Sequence, residues 1–223
     1  MPPRALSPSG LLLIDKPEGP SSFAVVAEIR RRTGARTGHA GTLDPFATGL
    51  LLVLSGASTR LAPYFVGLDK RYVTDVDLTA RTDTGDREGE IVERLDPPSE
   101  EELGRRVESL RGEVELAVPA ASAVKIGGER AYRLHRRGEV VEMPVRRSRV
   151  DRLDVVSYRD GVARLDLHVG SGTYVRAIAE ALGGHCTTLR RTEVGPFRVE
   201  EADPERIMPP EEALARIGAR GAS

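Results

Sequence analysis

Apolar residues in this 223-residue chain alternate between strand-like and helix-like spacing. Leu11 to Asp15 predicts a short buried strand, which Pro17, Gly19 and Pro20 break. Ser21 or Ser22 then caps a helix through Thr33, with Phe23, Val26, Ile29 and Arg30 spaced for one face. Leu50 to Leu54 is a continuous apolar run of strand length, which predicts burial on both faces. Ala57 to Val66 reads as a helix and Arg71 to Leu78 as a strand. Thr82 to Asp86 turns the chain into a further strand, Glu90 to Leu95.

Ser99 and Glu102 form a capping box, and the helix they start ends at Gly112. From Pro119 to Pro144 the chain becomes irregular and basic. Val145 to Tyr158, the Asp160-Gly161 turn and Val162 to Val169 predict a long hairpin. In the helix Thr173 to Leu182, residues Val175, Ile178, Ala179 and Leu182 make an i, i+3, i+4, i+7 stripe. Two short strands follow, near Thr188 to Val194 and Phe197 to Glu200, and Pro209 to Arg220 suits one short helix. Strands and helices mix without strict alternation. The expected class is α+β, with a mixed, largely antiparallel central sheet flanked by helices and loops.

Composition changes this picture little. Lys+Arg 33 against Asp+Glu 34 gives a net charge of -1, so a nucleic-acid site must be a local patch. Cys186 is the only cysteine, which excludes an internal disulfide and suits a reducing compartment. One cysteine and four scattered histidines make no zinc pattern. No apolar run approaches a membrane span, and Leu11 to Ile14 is too short for a signal-peptide core. These features predict a cytoplasmic protein without metal or cofactor.

The densest chemistry lies in Gly38-His39-Ala40-Gly41-Thr42-Leu43-Asp44-Pro45-Phe46-Ala47-Thr48-Gly49. Its glycines permit close backbone approach and Pro45 stiffens the residue after the acid, so Asp44 is presented on a constrained loop. Taken alone, such an aspartate also suits an ordinary turn. Arg176 lies off the apolar stripe of its helix, where an exposed i,i+4 pair with Glu180 is the plain alternative to a functional role. Lys125 to Arg137 is the best basic patch; Arg133, Arg136 and Arg137 have helix spacing that suits a phosphate track. Arg146, Arg147, Arg149 and Arg152 either extend that patch or decorate a strand edge.

The Asp44 segment resembles the catalytic motif of the TruB family of tRNA pseudouridine synthases. Further matches run in family order: Asp15 to Ser22, Lys70-Arg71-Tyr72, Thr82 to Asp86, Gly170 to Arg176, Leu189 to Thr192, and Val194 to Phe197. The resemblance implies a pseudouridine synthase fold over residues 1–205, with a basic insertion at about 119–144. Residues 206–223 are then a short tail, without the C-terminal RNA-binding domain common in bacterial relatives.

It also implies roles. Asp44 is the nucleophile or base, Arg176 its cationic partner, and Tyr72 the ring stacked on the target uracil. Carboxylate attack on the sugar's anomeric carbon, removal of a sugar proton to give a glycal, and attack on C6 of the base all remain open. His39 fills the gap left by the everted base, and Tyr174 and Leu189 complete the pocket. Lys16, Lys125, Arg133, Arg136 and Arg137 are the expected RNA contacts, and Asp83 and Asp86 set a turn at the pocket rim. The implied activity is isomerisation of the T-loop uridine (position 55) in the T-arm stem-loop of tRNA, by a monomer. A non-catalytic tRNA-binding or RNA-folding module on the same scaffold is the alternative. A hydrolase needs a second carboxylate at glycosidase spacing, and none stands out.

Overall fold

The structure, a computed structural model, describes residues 9–220. The outermost residues of the expected domain and tail, 1–8 and 221–223, lie outside the described residues. In chain order the elements are β1 (Gly10–Lys16), α1 (Ser22–Thr33), β2 (Thr37–His39), β3 (Thr48–Ser55), α2 (Ala62–Val66) and β4 (Lys70–Asp77). Next come β5 (Ala80–Thr82), β6 (Ile91–Arg94), α3 (Glu100–Ser109), β7 (Gly112–Ala117), β8 (Lys125–Ile126), β9 (Glu129–Arg130) and α4 (Ala131–Arg136). Last are β10 (Val145–Arg159), β11 (Val162–Val169), α5 (Val175–Leu182), β12 (His185–Val194), β13 (Phe197–Arg198) and α6 (Pro210–Arg220). Among the described residues two compact units result: 9–72 with 190–220, and Val73–Leu189.

In the first unit β1 and β3 pair antiparallel, with Leu13 opposite Leu52, and β2 adds antiparallel to β3. The end of β12 runs parallel to β3 through Arg190↔Thr48 and Arg191↔Gly49, so this sheet is mixed. Leu50, Leu52 and Leu54 join Leu11, Leu13, Phe65, Phe197, Met208 and Ala213 in one core. Leu51 and Val53, on the opposite face of β3, are fully buried too, as a continuous apolar run requires. Each such side chain contributes about 1.5–3 kcal/mol. Gly49 has φ +101, and a Cβ there would lie 2.2 Å from the Arg191 carbonyl oxygen, so only glycine fits this crossing. Met208 pairs with Leu11 through two backbone hydrogen bonds, which ties the segment before α6 to β1.

In the second unit β10 pairs antiparallel with both β11 and β7. The β10–β11 turn has positive φ at Asp160 (50) and Gly161 (78), the hairpin geometry that Asp-Gly predicts. Leu153, Leu165, Leu167 and Val169 are buried on this sheet, and Leu103 and Val107 of α3 and Ile178 and Leu182 of α5 are buried as well.

Several expectations change. Phe23 is 76% exposed; the buried face of α1 is Ser22, Val26 and Ile29, because Ser22 turns inward to bond Leu43. The segment 57–66 is a 3-10 turn (Gly56–Leu61) followed by α2, since Pro63 has no N–H to continue an α ladder. Helix α3 stops at Ser109 rather than at Gly112; Gly112, with φ +84, opens β7, a strand not among the predicted elements, in which Val114 and Leu116 alternate with Glu113 and Glu115. Among the described residues no helix is long and apolar enough to cross a membrane.

Candidate active site

The Asp44 loop belongs to the first unit. Leu43, Phe46 and Ala47 face the core, while Asp44 is partly exposed. Two buried cations grip the loop backbone. Lys16 Nζ donates to the carbonyls of Pro45 (3.1 Å), Ala47 (2.7 Å) and Pro17 (2.8 Å). Arg191 donates from Nε to Leu50 (2.7 Å), and from its terminal nitrogens to Gly41 (3.1 Å) and Thr42 (3.5 Å). Ser22 Oγ donates to the Leu43 carbonyl and accepts from the Leu43 N–H, both at 2.8 Å. The chain is thus held on both sides of Asp44 by the charge-assisted bonds of Lys16 and Arg191, each worth about 1.5–3 kcal/mol net, and by the neutral Ser22 pair.

Lys16 is 0% exposed, and the expectation that it touches RNA is corrected: burial puts its ammonium under the loop. Arg191 is 1% exposed and carries a loop-bracing function that the Leu-Arg-Arg-Thr motif alone did not disclose.

His39 ends β2 opposite Val53. Its Nδ1 is buried and makes no hydrogen bond among the described residues. Burial, and then the Arg191 charge, hold its pKa below the ordinary histidine value, so the ring is neutral at pH 7. Tyr72 is 8% exposed and alternates onto the same face of β4 as Lys70. Lys70 Nζ donates to the Val66 carbonyl at 2.6 Å and to that of Leu68. Burial and Arg191 push its pKa down to about 8, against a smaller opposite pull from Asp69.

Arg176, in the second unit, is 3% exposed, so the exposed-face alternative is corrected. Its terminal nitrogens donate to the carbonyls of Thr84 (2.7 Å) and Ala121 (2.9 Å). One of them lies 3.3 Å from Asp86 Oδ2. Asp86 also accepts from the Thr84 hydroxyl (2.7 Å) and the Glu88 N–H (3.0 Å). The acid expected only to shape a turn is therefore the arginine's buried counter-charge. A second acid one turn along α5, Glu180, has its pKa raised by burial, with Arg176 opposing. Tyr174 caps α5 and is half-buried; Leu189 on β12 is buried.

The basic insertion folds as the β8–β9 hairpin and α4. Lys125, Arg133 and Arg136 are exposed. Arg133 and Arg136 both lie 5.9 Å from the Tyr132 ring centroid. Arg137 differs: Glu129 and Glu139 each hold it at 2.6 Å, so its charge is already matched. His135 Nε2 lies 3.2 Å from Asp83 Oδ2, which joins α4 to the turn that carries Asp86. On β10, Arg147, Arg149 and Arg152 face Glu115, Asp151 and Asp154. Arg147 and Arg149 lie where β10 pairs with β7 alone, and Arg152 where it pairs with β11 alone.

A family model described as TruB family pseudouridylate synthase (N terminal domain) matches residues 30–175. A tRNA pseudouridine synthase B of Mycobacterium sp. (strain KMS) is 44% identical over 208 residues, 87% of this chain and 70% of that one. The protein of that name from Leifsonia xyli subsp. xyli (strain CTCB07) is 45% identical over 222 residues, covering 92% and 74%. Among solved structures, that of a Cbf5-Nop10-Gar1 complex matches with a TM-score of 0.65 and 28% identity. That match covers 85% of this chain but only 50% of the other, so the chain spans about half its length. A solved pseudouridylate synthase, 16% identical, shares the fold at a TM-score of 0.52 over 94% of this chain and 74% of that one. With its family model matched over most of its length and relatives at this identity, the chain belongs to the TruB family of pseudouridylate synthases.

Proposed function

We propose that the protein isomerises the T-loop uridine of tRNA, position 55, to pseudouridine. In this reaction the bond from C1′ of the ribose to N1 of uracil breaks and one from C1′ to C5 forms. C5 gives up its proton and N1 gains one, so no electrons leave and no acceptor is required. The carrying observation is the bracing of Asp44: two almost wholly buried cations and one buried serine hold its loop from both sides. A residue that only closed a turn needs no such support, whereas a carboxylate that must meet one sugar carbon does.

Asp44 acts on the nucleoside as nucleophile or base, and Tyr72 stacks on the everted uracil. Arg176 provides the fixed positive charge, held by Asp86. The neutral His39 ring takes the vacated place in the RNA stack, where a flat uncharged surface offsets part of the few kcal/mol lost on flipping. Tyr174 and Leu189 line the base, and Lys125, Arg133 and Arg136 meet phosphates. The protein works in the cytoplasm as a monomer, with tRNA as its partner and no cofactor. The named function of the 44–45% identical relatives favours catalysis over a non-catalytic module on the same scaffold. Carbodiimide mapping of a T-arm transcript after incubation with purified protein tests the proposal; modification at a single T-loop uridine is expected, and an unmodified transcript opposes it.

A further inference from the structure

We propose that the outer face of α1, with Arg36 and Arg60, forms a second RNA-binding surface beside the Asp44 loop. Its occupant is the strand that flanks the target nucleotide. The inference rests on the tRNA reading above.

Ion pairing divides the arginines at this end of α1 into matched and unmatched. At the end of α1, Arg31 pairs with Glu28 and Arg32 with Glu205. Arg30, Arg31 and Arg32 all lie in the last turn and match the helix dipole, so the ion pairs alone distinguish them. Arg30, Arg36 and Arg60 are also exposed, yet among the described residues no carboxylate lies within ion-pair distance of any of them.

The backbone brings the three close. Gly34 N–H donates to the Arg30 carbonyl (2.9 Å), and Gly56 N–H to the Arg36 carbonyl (2.7 Å). Arg60 sits in the 3-10 turn that begins at Gly56. Thr37, next to Arg36, donates its hydroxyl to the Val26 carbonyl of α1 at 3.2 Å.

The other end of α1 meets the catalytic loop. Ser22 bonds Leu43, the residue before Asp44, and the next residue along the helix is Phe23, 76% exposed. Phe23 and Arg30 are i and i+7, two turns apart on one face, with Ala27 between them. The 12-residue helix is about 18 Å long, which matches about five phosphates along one strand at 3.4 Å each. Unmatched cations fit phosphates, and an exposed ring beside the loop fits an unpaired base.

The test is binding of a T-arm hairpin across salt concentrations. For Arg30→Ala with Arg36→Ala and Arg60→Ala, affinity should fall at least about tenfold. The slope of log K against log salt should flatten by about 2 to 3, near 0.7 to 0.9 per phosphate neutralised. Turnover at saturating RNA should stay within about twofold, and the thermal midpoint should hold, because all three side chains are exposed. Phe23→Ala should weaken binding about tenfold with the slope unchanged, since stacking releases no counterion. An unchanged affinity and slope in the triple variant would overturn the proposal and assign the arginines to solvent or to a protein partner. Binding is read whether or not pseudouridine forms, so a protein that grips the hairpin without modifying it defeats the catalytic reading alone.

Discussion

Asp86 holds a carboxylate oxygen 3.3 Å from a terminal nitrogen of Arg176, with side chains only 6% and 3% exposed. Neither charge has water to fall back on. Removing one partner takes a close counter-charge from the other while it stays buried, which costs more than the pair itself contributes. Asp86→Ala should therefore destabilise the fold by about 3 kcal/mol in urea unfolding. Asp86→Asn, which keeps the shape and loses the charge, should cost less while still cutting turnover at least about tenfold. Unchanged stability in the alanine variant would mean that the buried guanidinium is balanced elsewhere.

Lys16 offers a second test, of the loop rather than the arginine. Lys16→Met should strand the Ala47 carbonyl, at about 1–3 kcal/mol for a buried group left unsatisfied, while the Pro45 carbonyl keeps its bond from the Gly19 N–H. Turnover should fall with stability, and hairpin affinity should hold, because the ammonium never reaches solvent. A variant with normal stability and weakened hairpin binding would restore Lys16 as an RNA contact.

Lys70 predicts a pH dependence with a definite sign. Its pKa is about 8 in the folded chain and near 10.5 when unfolded. Below pH 8 both states hold the proton and the cost of burying the ammonium is fully felt. Between pH 8 and 10.5 the unfolded chain binds the proton more strongly, so the Lys70 contribution makes stability rise with pH. Compared with Lys70→Met, the wild-type urea midpoint should gain across that interval. A constant difference between the two proteins from pH 7.5 to 10 would contradict the buried-lysine description.

For the basic insertion, charge matching decides which arginines count. Arg133→Ala with Arg136→Ala should flatten the salt slope of hairpin binding by about 2 or less. Arg137→Ala should change it far less, because Glu129 and Glu139 already occupy its guanidinium. Equal effects of Arg133 and Arg137 would show that RNA displaces those carboxylates.

Local pattern carried much of the architecture. The run Leu50 to Leu54, the Asp160-Gly161 turn and the Ser99 cap each owe their form to neighbours in sequence, and each was readable. What pattern missed depends on distant partners. The edge strand β7, where only Val114 and Leu116 alternate with Glu113 and Glu115, is too short to stand out and takes its form from pairing with β10. Apolar spacing alone places Phe23 on the buried face of α1, because it allows two helix phases, and only the Ser22 contact with Leu43 chooses between them. At the site, Asp44 stood out through its glycines and proline. Asp86 and Arg191 did not, since an aspartate in a Thr-Gly turn and an arginine in a strand look ordinary until burial shows what they hold.

The central claim is that the Asp44 carboxylate performs the isomerisation. The direct measurement is mass spectrometry of T-arm RNA after incubation with Asp44→Asn, paired with a binding titration. Pseudouridine should be absent while hairpin affinity stays within about tenfold of wild type, roughly 1.4 kcal/mol. Full conversion by the asparagine variant would contradict the account and return the chain to a binding role.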